Sequence, residues 1–93
     1  MAVLTPEEVD GRLAALEGWS REGAVIVKRF TREGGFMGSV GFVNAVAEPA
    51  ERMDHHPDLE ISWNTVTVRL STHSQGGITE LDLTLAGEID ALA

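Results

Sequence analysis

Between Asp58 and Thr72 the apolar residues change phase once, and that flip constrains the fold more than any other stretch of the chain. Leu59, Ile61 and Trp63 alternate with polar residues; Val66, Val68 and Leu70 then do the same, one step out of phase. Alternation sends successive side chains to opposite faces of a strand, so two runs out of phase need a turn between them. A two-residue turn at Asn64-Thr65 restores a common face. Trp63 then stands opposite Val66, Ile61 opposite Val68 and Leu59 opposite Leu70, with all six side chains on one side. The other side pairs Glu60 with Arg69 and Ser62 with Thr67. This is an antiparallel hairpin with one apolar face, which other elements must cover.

Helices supply the cover. Thr5 reads as an N-cap, Pro6 as the first helical residue and Glu8 as its capping-box partner, with Val9, Leu13 and Leu16 on one face and Gly18 as the stop. Trp19 to Arg21 and Ala24 to Thr31 flank Glu22-Gly23 and read as a second strand pair, the latter strand rich in Val and Ile. From Gly35 to Met53 the period becomes helical, with Phe36, Val40, Val43, Ala47 and Ala50 as the apolar stripe. Pro49 lies inside it, and a kink or broken turn is expected there. After a flexible Gly76-Gly77 turn, a last helix starts at about Thr79 and carries Leu81, Leu85, Ile89 and Leu92. The order α-β-β-α-β-β-α predicts an α+β fold: a four-stranded antiparallel sheet with helices packed on one face.

With 93 residues the chain is expected to form a single domain spanning 1–93, and its thin core makes oligomerisation a reasonable expectation. It has no cysteine, which excludes disulfides, zinc–thiolate sites and thiol nucleophiles. A formal net charge of −8 repels phosphate backbones, so nucleic acid is not an expected partner. Arg21, Lys28, Arg29 and Arg32 cluster, but without interleaved aromatics they read as solvated strand ends. The residues MAVLTPEEVD do not read as a secretory leader and no run is long enough to span a bilayer, so no membrane is expected and the cytoplasm is the expected location.

Chemistry enters with histidine. His55 and His56 stand just before the hairpin and His73 just after it, so the hairpin's open end gathers all three. If the pairing continues outward, His56 lies opposite His73, although Pro57 frays the ladder there. An imidazole titrates near neutral pH, so such a cluster can give and take protons. It can also hold a metal, through three imidazoles or two plus Asp54 or Glu51, or it can be three unrelated surface residues. Glu51 sits four residues before His55, where a carboxylate can orient the ring or simply be solvated. Asp82 has a ready structural use in a Thr79-x-x-Asp82 capping box. Trp63, on the apolar face, reads as core.

At these residues the sequence resembles the pterin-4a-carbinolamine dehydratases. Their signature has an acidic residue, three spacers, His-His-Pro, an aromatic five or six residues on, nine spacers, a second His and a late Asp. Here that is Glu51, His55-His56-Pro57, Trp63, His73 and Asp82; GWSREGAVIVKRF is also similar, more weakly. The resemblance implies the same fold, dimers or tetramers, and a small-molecule substrate, 4a-hydroxytetrahydropterin. This is the carbinolamine that an aromatic amino acid hydroxylase releases, so a functional link to such a hydroxylase follows. The product is quinonoid dihydropterin plus water, and a reductase then restores the tetrahydropterin. The resemblance makes His55 and His73 the acids or bases on the two sides of the carbinolamine. His56 then binds the pterin and assists, and Glu51 and Asp82 position or tune the histidines, with Asp54 and Thr72 as further supporting candidates. It implies neither metal nor redox cofactor, the pterin being the substrate. Some members of the family look like binding or assembly modules, which leaves an oligomerising partner protein as the alternative.

Overall fold

Thr5 opens the first helix by reciprocal capping: its Oγ1 accepts from the Glu8 N–H at 3.1 Å and its own N–H donates to Glu8 Oε1 at 2.8 Å. The computed structural model describes residues 2–93. In chain order they form α1 (Pro6–Leu13), β1 (Ser20–Glu22), β2 (Val25–Thr31), α2 (Gly35–Met53), β3 (Asp58–Ser62), β4 (Thr65–Leu70), a 3₁₀ turn (His73–Gln75) and α3 (Glu80–Asp90). The strands make one sheet in the order β1-β2-β4-β3, every neighbouring pair antiparallel. One continuous core joins Val9 of α1, Phe42 and Val46 of α2, and Leu85, Ala86 and Ile89 of α3 to the inner-face residues Ile26, Phe30, Val66, Val68 and Leu70. The three helices therefore cover one face, the expected α+β arrangement.

The hairpin forms, but in a register displaced by two residues from the expected one. Leu59 pairs with Val68, Ile61 with Val66 and Ser62 with Thr65, so the turn is Trp63-Asn64. A two-residue displacement keeps every side chain on its face, and Leu59 and Ile61 still lie beside Val66 and Val68. Trp63 is the casualty. It sits in the turn at φ 48° with 68% of its surface exposed, and is not core. Contacts from outside the hairpin hold this turn: Ser39 Oγ donates to the Trp63 carbonyl and the Arg32 N–H donates to the Asn64 carbonyl at 2.7 Å. The expected Glu60–Arg69 ion pair survives as a diagonal contact at 2.9 Å, because Glu60 now faces Thr67.

The second helix differs twice. It runs through Pro49 without a broken turn. Proline removes one N–H, but its ring lies in the buried stripe, where packing offsets the missing bond. That stripe is Ser39, Phe42, Val46, Pro49 and Ala50, one step round from the expected one. Phe36 and Ala47 consequently face outward, Phe36 with 53% of its surface exposed. At the ends, α1 stops at Leu13, before Gly18, and Leu92 lies past the end of α3 and is exposed. The first hairpin turns at Gly23-Ala24, with Gly23 at φ 64°.

Candidate functional site

Two strand ends and two helix ends converge at the open end of the β3–β4 hairpin. Asp54 terminates α2 in the left-handed conformation at φ 49°, its N–H closing on the Ala50 and Glu51 carbonyls. This reversal turns the chain from the helix axis into His55-His56-Pro57 and then β3. Asp54 thus acts here through its backbone, with its side chain exposed. On the other strand, β4 ends at Leu70 and Thr72 bridges to Gly77, closing a short loop that contains His73. Gly76, at φ 75°, finishes the 3₁₀ turn by donating to the Thr72 and His73 carbonyls.

Each histidine has a carboxylate beside it. His55 is buried, 8% exposed, and its Nε2 lies 2.5 Å from Oδ1 of Asp82, which is completely buried. His56, half exposed, places Nε2 2.5 Å from Glu51 Oε2. His73, on the surface, places Nε2 3.8 Å from Asp58 Oδ2. His56 and His73 are therefore not the facing pair that the expected register gave; His73 opens the 3₁₀ turn after β4 and comes near Asp58, the first residue of β3. Among the described residues, no group of three or more His, Asp or Glu side chains is arranged to hold a metal ion.

Asp82 does two jobs at once. Its Oδ2 accepts from the Thr79 N–H at 2.9 Å and from Thr72 Oγ1 at 2.9 Å, while Oδ1 faces His55. The capping box foreseen for Thr79 and Asp82 forms, and the cap is also the partner of the imidazole. A carboxylate in the first turn of a helix is favoured by the helix dipole, so an anion is well placed there. Glu51 stays on α2 despite Pro49 and reaches His56. Beside this pair an apolar groove of about 170 Å³ runs between α2 and β3, lined in part by Val43, Ala47, Glu51, His56 and Leu59. Trp63 lies at the closed end of the hairpin, away from all of this.

Two residues at the site escaped the sequence reading. Asp58 reads only as the start of a strand, and its approach to His73 depends on the 3₁₀ turn His73–Gln75, which no local pattern announces. Thr79 was read only as a cap, yet it is completely buried and its hydroxyl bonds that of Thr72 at 2.7 Å. A threonine cap seven residues after a second threonine is a faint signal, and nothing local marks it. The basic residues do not form one solvated cluster: Arg21 pairs with Asp10, while Lys28, in the middle of β2 and partly buried, pairs with Asp90.

The fold and site together define a one-sided α+β sheet protein with three imidazole–carboxylate contacts at one end. Comparison with known proteins is specific. The family model for pterin 4 alpha carbinolamine dehydratase matches residues 2–92, and the chain belongs to that family. A Mycobacterium tuberculosis protein named "Putative pterin-4-alpha-carbinolamine dehydratase" is 50% identical over 92 residues, covering 99% of this chain and 97% of its own. A protein of the same name from Thermosynechococcus vestitus is 49% identical over 90 residues, covering 97% and 94%. A crystal structure from Brucella melitensis, described as a transcriptional coactivator/pterin dehydratase, superposes with TM-score 0.92 at 37% identity over 99% of both chains. A pterin dehydratase-like protein described as a RuBisCO assembly factor in the alpha-carboxysome superposes with TM-score 0.68 at 25% identity, over 83% of this chain and 90% of that one. Among the described residues, no helix is long and apolar enough to cross a membrane.

Proposed function

We propose that the protein dehydrates 4a-hydroxytetrahydropterin to quinonoid dihydropterin and water. The observation that carries the reading is the partnering of each family-signature histidine with a carboxylate at one end of one hairpin. Hydroxide leaves poorly, so the 4a oxygen takes a proton as the C–O bond breaks, while N5 loses its proton as the C4a–N5 double bond forms. The reaction is redox-neutral and needs only positioned acids and bases, which is why we assign it no redox cofactor and no metal. His55 and His73 exchange these protons, and His56, held by Glu51, binds the pterin. Asp82 and Thr72 position His55, and Asp54 sets the path of the chain through the histidines. The setting is cytoplasmic, beside an aromatic amino acid hydroxylase that supplies the carbinolamine.

The test is a coupled assay in which a hydroxylase generates the carbinolamine and dihydropterin formation is followed spectroscopically. Acceleration over spontaneous dehydration, lost in the His55→Ala/His73→Ala double variant, supports the reading. A folded wild-type protein that gives no acceleration refutes it.

The outward apolar stripe of α2 favours a homodimer or homotetramer, since Phe36 and Ala47 find no cover within one chain. The same surface supports the second reading, a non-catalytic oligomerisation or assembly partner, in line with the description of one structural neighbour as a RuBisCO assembly factor. Co-purification of a partner, unaffected by His73→Ala, would favour it.

A further inference from the structure

We propose that Thr79 is a positioning residue which, through Thr72, holds Asp82 against His55, so that neutral His55 keeps its proton on Nε2 and Nδ1 is left as the nitrogen that exchanges a proton with substrate. The inference deepens the dehydratase reading and rests on it for the last step only.

Counting protons along the chain of contacts leaves one arrangement. A threonine hydroxyl has a single hydrogen to donate. Thr72 gives its own to Asp82 Oδ2, at 2.9 Å. The 2.7 Å contact between the Thr72 and Thr79 hydroxyls must then run the other way, with Thr79 donating. Thr79 Oγ1 in turn accepts from the Leu81 N–H at 3.3 Å. Oδ2 of Asp82 already takes two donors, the Thr72 hydroxyl and the Thr79 N–H. Oδ1 remains for His55, and a carboxylate can only accept, so Nε2 must carry the hydrogen.

Burial makes the order matter. Thr79 and Asp82 are fully buried, and Thr72 and His55 nearly so. No bulk water can substitute for a missing donor, and hydrogen bonds in such a chain reinforce one another. Without the Thr79 hydroxyl, Thr72 still donates to Asp82 but loses the donor that orients and polarises its own hydroxyl, so its hold on the carboxylate weakens. An imidazole whose tautomer is set by its second partner is a familiar catalytic arrangement. Here the carboxylate sets the tautomer, and two hydroxyls behind it, the second from a helix cap, hold the carboxylate.

Nitrogen-15 NMR of the histidine rings tests this, at a pH of about 8, above the ordinary imidazole range. His55 is assigned by its absence from the His55→Gln spectrum. The expected wild-type result is neutral His55 protonated on Nε2, with an observable Nε2–H. In Thr79→Val that proton signal is broadened by exchange and kcat falls by about tenfold with KM unchanged, the loss of one hydrogen bond. Thr79→Ser recovers both the signal and the rate. A wild-type His55 protonated on Nδ1 overturns the proposal. So does a folded Thr79→Val protein with an intact Nε2–H signal and unchanged kcat. Should Thr79→Val not fold, the wild-type tautomer decides alone. The spectrum does not depend on turnover, so failure of the dehydratase reading would appear separately, as no acceleration by the wild type.

Discussion

Replacing Asp82 by Asn changes one atom and tests the centre of the site. The asparagine keeps one acceptor oxygen, which can stay with the Thr79 N–H and the Thr72 hydroxyl, and it turns an NH₂ toward His55 Nε2. The hydrogen-bond count is preserved only if neutral His55 accepts on Nε2, which moves its proton to Nδ1. Three bonds to a charged group become three neutral ones. Since the former contribute about 1.5–3 kcal/mol each and the latter about 0.5–1.5, the expected destabilisation is about 3–4.5 kcal/mol. For a domain of this length that lowers Tm by roughly 20 °C. The rate should suffer far more, because a ring with its lone pair turned to the wrong side loses most of a contribution of ~10²–10⁴. Circular dichroism melting and the coupled carbinolamine assay give the two numbers on one sample. A folded Asp82→Asn protein that keeps most of its turnover would sink the reasoning, whatever its Tm.

Other perturbations test the frame around the site. Gly38→Ala would place a methyl 1.9 Å from the Glu33 carbonyl oxygen, so the first turn of α2 must shift; overpacking of this kind costs about 1–3 kcal/mol, and a urea midpoint equal to the parent's would contradict it. Ala47→Lys, on the outward face of α2, should leave the fold intact and reduce the mass measured by light scattering, whereas an unchanged mass would move the assembly contact elsewhere. Hydrogen bonds from Arg12 hold the Glu80 carboxyl below the usual carboxylate range, so its stabilisation is present above the unfolded-state pKa and is lost as pH falls through the lower folded value. Glu80→Gln should therefore destabilise slightly at neutral pH and hardly at all well below a pH of ~4, the effect being small because both side chains are exposed and salt screens them. Equal effects at both pH values would argue against the pair.

What could be read from the chain depended on how local the cause was. The capping boxes at Thr5 and Thr79 were legible because all their atoms lie within four residues. The faces of the hairpin were legible because alternation survives any two-residue displacement. Its register was not, because turns at Trp63-Asn64 and Asn64-Thr65 satisfy the same alternation. Rules of turn chemistry disfavour a tryptophan at positive φ, and only the tertiary contacts from Ser39 and Arg32 hold it there. The helix α2 carries apolar residues at helical spacing on two sides, so periodicity alone could not say which side meets the sheet. At the site, the histidines and Asp82 were legible as types, through spacing and through the family resemblance. Which carboxylate meets which ring was not: His55 and Asp82 are 27 residues apart, and Asp58 comes near His73 through a 3₁₀ turn that no local pattern announces.

The left-handed joint at Asp54 and the cap at Asp82 together have a kinetic consequence. His55 leaves α2 through a reversal of the chain and meets its partner on the first turn of α3, so the imidazole is seated only while both helices are docked on the sheet. Any fluctuation that lifts the amino end of α3 withdraws the carboxylate, uncaps the helix and unseats the ring in one event. Amide exchange at Leu81 and Leu83 should accordingly report on the readiness of His55, with one opening free energy for the helix end and for the site.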